Sequence, residues 1–131
     1  MTDAAATPVE TPVQARVHAG SCHCGAVRFE VETDLSQVME CNCSHCFRKG
    51  LWLTFVEPAA FRLTSGESAL TEYLFNRHNI HHWFCPTCGV EPWGQGTGPD
   101  GKAMIAVNVR TLTDVEPFSV EPGTRVDGRS F

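Results

Sequence analysis

Cys22-His-Cys-Gly-Ala-Val-Arg-Phe-Glu-Val-Glu32 joins two signals in one short run. Its second half sets Val27, Phe29 and Val31 against Arg28, Glu30 and Glu32, the two-residue period of a half-buried strand. Its first half offers two sulfurs, Cys22 and Cys24, closed by Gly25. The C-x-C spacing is too tight for an easy internal disulfide. A glycine there tolerates the positive φ that lets backbone N–H groups turn towards metal-bound sulfurs. The stretch therefore reads as a metal knuckle feeding a β-strand.

The same two signals recur outward from it. The chain has seven cysteines, and all lie in three clusters. Cys85-Pro-Thr-Cys88-Gly89 is a second knuckle, with two residues between its sulfurs. A redox dithiol would open a helix after a strand. Here Val90, Pro92 and Trp93 follow, and they start no helix. Cys41-Asn-Cys43-Ser-His-Cys46 places three sulfurs in six residues. The clusters divide most simply as four plus three, because both outer pairs end in glycine and the trio is self-sufficient. Sequence alone also permits the second knuckle to pair with two sulfurs of the trio. Four thiolates close a tetrahedral zinc site, whereas three leave a position for water, a substrate or a distant side chain. His45, His78, His81 and His82 are the conceivable fillers.

Short apolar runs recur every ten to fifteen residues: 37–41, 51–56, 61–64, 70–75, 80–84 and 104–109. No window carries a convincing helical stripe, although a short turn of helix after Cys43 is compatible with the pattern. Eleven glycines and eight prolines suit a turn-rich all-β domain. Residues 1–14 are rich in Ala, Thr and Pro and read as a flexible tail, leaving residues 15–131 as a single domain.

The net charge of −5 argues against nucleic acid, which needs clustered Lys and Arg. The one dense basic pair, Arg48-Lys49, follows the trio; it is either a solvated pair or a local counter-charge to an anionic site. No run reaches transmembrane length, so no membrane partner is expected. The N-terminus lacks the basic and apolar regions of a secretory signal. A reducing, cytoplasmic setting follows, in which clustered cysteines hold metal rather than disulfides. Gly96 to Lys102 matches the glycine and lysine spacing of a phosphate-binding loop, but Ala103 replaces the Mg²⁺-ligating hydroxyl and a β-like run follows, so a hairpin is expected. Phe47, Trp52, Phe55, Phe84 and Trp93 are mostly core candidates; Phe47 and Trp93 lie beside cysteine clusters and are the two expected to touch a ligand.

Gly20-Ser-Cys-His-Cys-Gly-Ala-Val-Arg-Phe-Glu-Val31, the trio, His81-His-Trp-Phe-Cys-Pro-Thr-Cys-Gly-Val-Glu-Pro-Trp93, Ala106-Val-Asn-Val-Arg110 and the terminal Val126-Asp-Gly-Arg-Ser-Phe131 together resemble the glutathione-dependent formaldehyde-activating enzyme family, which includes the centromere protein V domain. The resemblance spans about Gly20 to Phe131. It implies a β-tent, antiparallel sheets pinned by zinc–cysteine clusters. It also implies two Zn²⁺ per chain: a structural ion on Cys22, Cys24, Cys85 and Cys88, and a catalytic ion on Cys41, Cys43 and Cys46. The implied activity is that of a zinc-dependent carbon–sulfur lyase acting on a glutathione-like thiol and a small aldehyde such as formaldehyde. It assigns no catalytic residue beyond the trio, and His45 or His82 is a conceivable proton shuttle. The alternative is a non-catalytic, zinc-stabilised binding module on the same scaffold.

Overall fold

The computed structural model describes residues 15–75, 80–98, 100–116 and 118–130, so the tail expected over residues 1–14 lies outside it. Ten strands follow in order: β1 (Arg16–Ser21), β2 (Arg28–Thr33), β3 (Met39–Cys41), β4 (Leu53–Val56), β5 (Phe61–Ser65), β6 (Thr71–Tyr73), β7 (His81–Phe84), β8 (Trp93–Thr97), β9 (Ala103–Asn108) and β10 (Thr124–Val126). One six-residue helix, α1 (Ser44–Lys49), interrupts them after β3. The chain is all-β, as its short alternating runs predict. Among the described residues no helix is long and apolar enough to cross a membrane.

The strands form two sheets, β1-β2-β5 and β10-β3-β4-β9-β8-β7-β6. Every pairing between them is antiparallel except β10 with β3, which is parallel and brings Val126 beside Cys41. The core lies between the sheets. Phe29 and Val31 from the small sheet meet Val56, Trp93, Ile105 and Val107 from the large one. Phe61 bridges them, with its ring 5.3 Å from Phe29 and 4.9 Å from Trp93. Trp93 is thus a buried core residue, packed near Phe61 and Trp83, which sets it apart from the ligand-facing position its place beside a cysteine cluster suggested.

β1 carries no apolar alternation, since its inward positions are His18 and Gly20. His18 is buried and its Nδ1 lies 3.0 Å from Asp114, which also accepts the Ala19 N–H. Gly20 pairs across the strand with Phe29, whose ring lies against its Cα: a β-carbon there would come 2.1 Å from the ring. Gly20→Ala should therefore cost about 1–3 kcal/mol through overpacking. Urea unfolding reads this as a lower midpoint; an unchanged midpoint would show that the ring can move aside.

The run from Gly96 to Ala103 is the expected hairpin. Thr97 pairs with Ala103, and the Gly98 N–H donates to Lys102 O at 2.8 Å. A strand, β9, follows it, so no helix N-terminus is available to hold phosphate.

Candidate metal centres

Cys22 directly follows β1 and Cys85 directly follows β7. The two turns are built alike. Cys22 N–H donates to Val27 O and Cys85 N–H to Val90 O, each at 3.0 Å. Gly25 and Gly89 close the turns at φ 84° and 80°, the left-handed region that glycine enters freely. The turns meet so that the sulfurs of Cys22, Cys24, Cys85 and Cys88 converge. Cys24 Sγ lies 3.7 Å from Cys22 Sγ and 3.6 Å from Cys85 Sγ. Tetrahedral zinc with bonds of about 2.3 Å sets its sulfurs roughly 3.8 Å apart, so the four-sulfur partition fits a metal. The Val27 N–H points at Cys22 Sγ at 3.3 Å, as such knuckles require. Burial opposes ionisation of Cys88, but the Val90 and Cys24 N–H groups and adjacent thiols bring its pKa down to about 6. The Ala26 N–H favours the Cys24 thiolate, yet the competing Cys85 sulfur carries that thiol up to about 11. Protons shared unevenly among four sulfurs are what a metal ion displaces.

The trio is assembled around α1. Cys41 ends β3, Cys43 is the N-cap of α1, and Cys46 sits in its first turn. Cys43 Sγ accepts the Cys46 N–H at 3.3 Å, and Cys41 Sγ accepts the Cys43 N–H at 3.4 Å. Burial pushes the Cys46 thiol up, while N–H groups of Cys46 and His45 outweigh burial at Cys43 and lower it. Gly50, at φ 67°, stops the helix after six residues. Among the described residues no His, Asp or Glu joins these three sulfurs. Cys41 and Cys46 line a cavity of about 520 Å³, walled also by Glu40, Asn42, Phe47, Leu51, Arg125 and Asp127. Phe47 is exposed and lines this cavity.

Three of the histidines considered as a fourth ligand, His45, His81 and His82, are engaged elsewhere. His81 pairs with Glu72. His45 Nε2 lies 2.8 Å from Glu91 Oε1, and His82 Nδ1 lies 3.3 Å from Glu91 Oε2. His78 falls outside the described residues. Arg48 and Lys49 close α1 on the side away from the trio's cavity; Lys49 sits over the Phe84 ring and 3.7 Å from Glu91.

A family model described as glutathione-dependent formaldehyde-activating enzyme matches residues 17–126. The chain belongs to that family. A crystal structure of a Rhodobacter sphaeroides protein is similar to it, with 33% identity and a TM-score of 0.74, covering 82% of this chain and 99% of that one. Membership supports glutathione-dependent formaldehyde activation as the general activity and suits an enzyme with metal-ready cysteine clusters.

Sequence reading missed two partners of the trio. Asn42 binds the C-terminal segment, its Nδ2 donating to Asp127 at 2.9 Å and its Oδ1 accepting the Arg129 N–H at 2.9 Å. That clasp lays Gly128 over the sulfurs, where a β-carbon would sit 2.3 Å from Cys41 Sγ. Gly128→Ala should therefore weaken metal retention at the trio about 10–100-fold, the usual range for groups that orient ligands. The four-cysteine cluster should be untouched. Chelator competition would resolve two classes of metal in the variant; a single unchanged class would refute this role for Gly128.

Proposed function

We propose that this protein is a zinc-dependent enzyme joining a glutathione-like thiol to a small aldehyde, or cleaving that adduct as a carbon–sulfur lyase. In this reading Cys41, Cys43 and Cys46 hold the catalytic zinc, and Cys22, Cys24, Cys85 and Cys88 hold a structural one. Residues 15–131 act as one zinc-stabilised unit in a reducing, cytoplasmic setting. The observation that carries the reading is the trio itself: three converging sulfurs with no fourth donor among the described residues, two of them, at Cys41 and Cys46, belonging to residues that line a cavity of about 520 Å³.

A zinc ion bound there supplies a Lewis acid that lowers the pKa of an incoming thiol and polarises a carbonyl. The chain's residues do the rest. The Cys43 and Cys46 N–H groups stabilise anionic sulfur at Cys41 and Cys43. The clasp of Asn42 on Asp127 and Arg129 holds the bare Gly128 backbone beside Cys41, where a side chain would block the sulfurs. Phe47 offers an apolar wall, and Arg125, bonded to Glu40 at 3.3 Å, brings a guanidinium suited to a carboxylate of the thiol. Holding sulfur and carbonyl carbon together makes the addition effectively unimolecular. In the forward direction a carbon–sulfur bond forms, the thiol proton leaves, and the carbonyl oxygen gains a proton. With formaldehyde the product is a hydroxymethyl thioether.

The test is turnover of a panel of thiol–aldehyde adducts, with and without zinc. Acceleration over the uncatalysed rate that disappears on zinc removal is expected for at least one glutathione-like thiol. Rates equal to background across the panel would leave the binding-module reading in its place.

A further inference from the structure

We propose that His45, His82 and Glu91 form an additional site for a divalent transition-metal ion, distinct from both cysteine clusters. The three residues come from α1, from β7 and from the turn before β8, yet their ligating atoms all lie within 4.8 Å of one another. The carboxylate faces both imidazoles, at 2.8 Å from His45 Nε2 and 3.3 Å from His82 Nδ1. Metal–nitrogen and metal–oxygen bonds of about 2.1 Å set neighbouring donors roughly 3 Å apart, so these separations suit a shared ion. Two imidazoles and one carboxylate select borderline ions such as Fe²⁺, Co²⁺ or Zn²⁺ over Mg²⁺ or Ca²⁺, which take oxygen.

Burial sharpens the case. The side chains of His45, His82 and Glu91 are 8%, 8% and 3% exposed. A carboxylate sealed that well needs a compensating cation. Lys49 lies 3.7 Å from it, beyond hydrogen-bond reach, on a side chain one-third exposed. The two imidazole rings lie with centroids 4.0 Å apart, close enough to serve one ion. An ion held jointly by the rings and the carboxylate supplies positive charge at that buried position.

The surroundings meet the other needs of a metal site. Asn108 Nδ2 donates to the Glu91 backbone oxygen at 3.1 Å and fixes that turn. Tyr73 and Phe75 stack on His45 at 5.5 and 5.4 Å and fix its ring. A cavity of about 550 Å³, walled by His45, Arg48, Lys49, Tyr73, Phe75 and Phe84, gives an entry path. It lies across α1 from the trio: His45, Arg48 and Lys49 line it, whereas Cys46, Phe47 and Gly50 line the other.

The experiment is titration of metal-free full-length protein with Co²⁺, followed by absorption spectroscopy and metal counting. Cobalt on thiolates develops intense near-ultraviolet sulfur-to-metal charge transfer, and cobalt on nitrogen and oxygen shows only weak visible bands. Wild type is expected to bind one Co²⁺ beyond those that develop the sulfur bands. Glu91→Gln and His82→Asn should each weaken that ion at least 100-fold and leave the sulfur bands intact. Two results overturn the proposal: all bound cobalt in wild type carrying sulfur charge transfer, or the extra ion persisting in both variants. The wild-type count decides the matter even if a variant fails to fold, and no readout depends on turnover.

Discussion

Cys85→Ser is expected to abolish cooperative folding at 25 °C. Cys85 is fully buried, and its sulfur converges with those of Cys22, Cys24 and Cys88 where the turn after β1 meets the turn after β7. These turns lie on different sheets, so the cluster clips the small sheet to the large one. Structural zinc on thiolates contributes about 10–16 kcal/mol in small zinc peptides. A domain of this size has a net stability of about 5–15 kcal/mol. Losing most of the first term exhausts the second, because hydroxyl is a poor substitute for a thiolate ligand and is left in an apolar setting. A strong chelator should do the same to wild type, slowly. Circular dichroism during a thermal scan is the measurement. A variant melting within a few degrees of wild type would mean that the core between Phe29, Phe61 and Trp93 suffices without the clip.

Cys43→Ser should behave in the opposite way, keeping the fold and losing turnover to the uncatalysed rate. Cys43 is partly exposed and caps α1, its sulfur accepting the Cys46 N–H. Serine is among the best N-cap residues, so the helix should survive the exchange with a change of less than about 1 kcal/mol. The trio, however, drops to two sulfurs, and a hydroxyl does not ionise to replace the third. Removing one of three ligands should release the trio ion at chelator concentrations that spare the four-cysteine cluster. Adduct turnover and zinc content, measured on the same sample, separate the two effects. Turnover within threefold of wild type would place the chemistry away from the trio.

The knuckles could be read from sequence because their geometry is local. A glycine after each cysteine pair predicts a positive φ, and Gly25 and Gly89 both have it. β2 was legible because Phe29 and Val31 bury one face in simple alternation. β1 was not, since a buried histidine satisfied by Asp114 and a glycine shaped to a ring leave no apolar period. β8 hid for a related reason, carrying Gly94 and Gly96 within WGQGT. Long-range placement was the least legible. His45 and His82 drew attention as spare ligands for the trio, yet both turn to Glu91, a residue that no motif singles out. Its carboxylate is driven up by burial but held down to about 2 by those two imidazoles. The clasp of Asn42 on the C-terminal turn likewise joins segments some eighty-five residues apart, the separation of Asn42 from Asp127.

Anomalous diffraction at the zinc edge from crystals soaked with glutathione tests the catalytic reading most directly. The prediction is an ion held by Cys41, Cys43 and Cys46 with the sulfur of glutathione in its fourth position. An ion there already enclosed by a fourth side chain of the protein, or no ion at the trio at all, would contradict it.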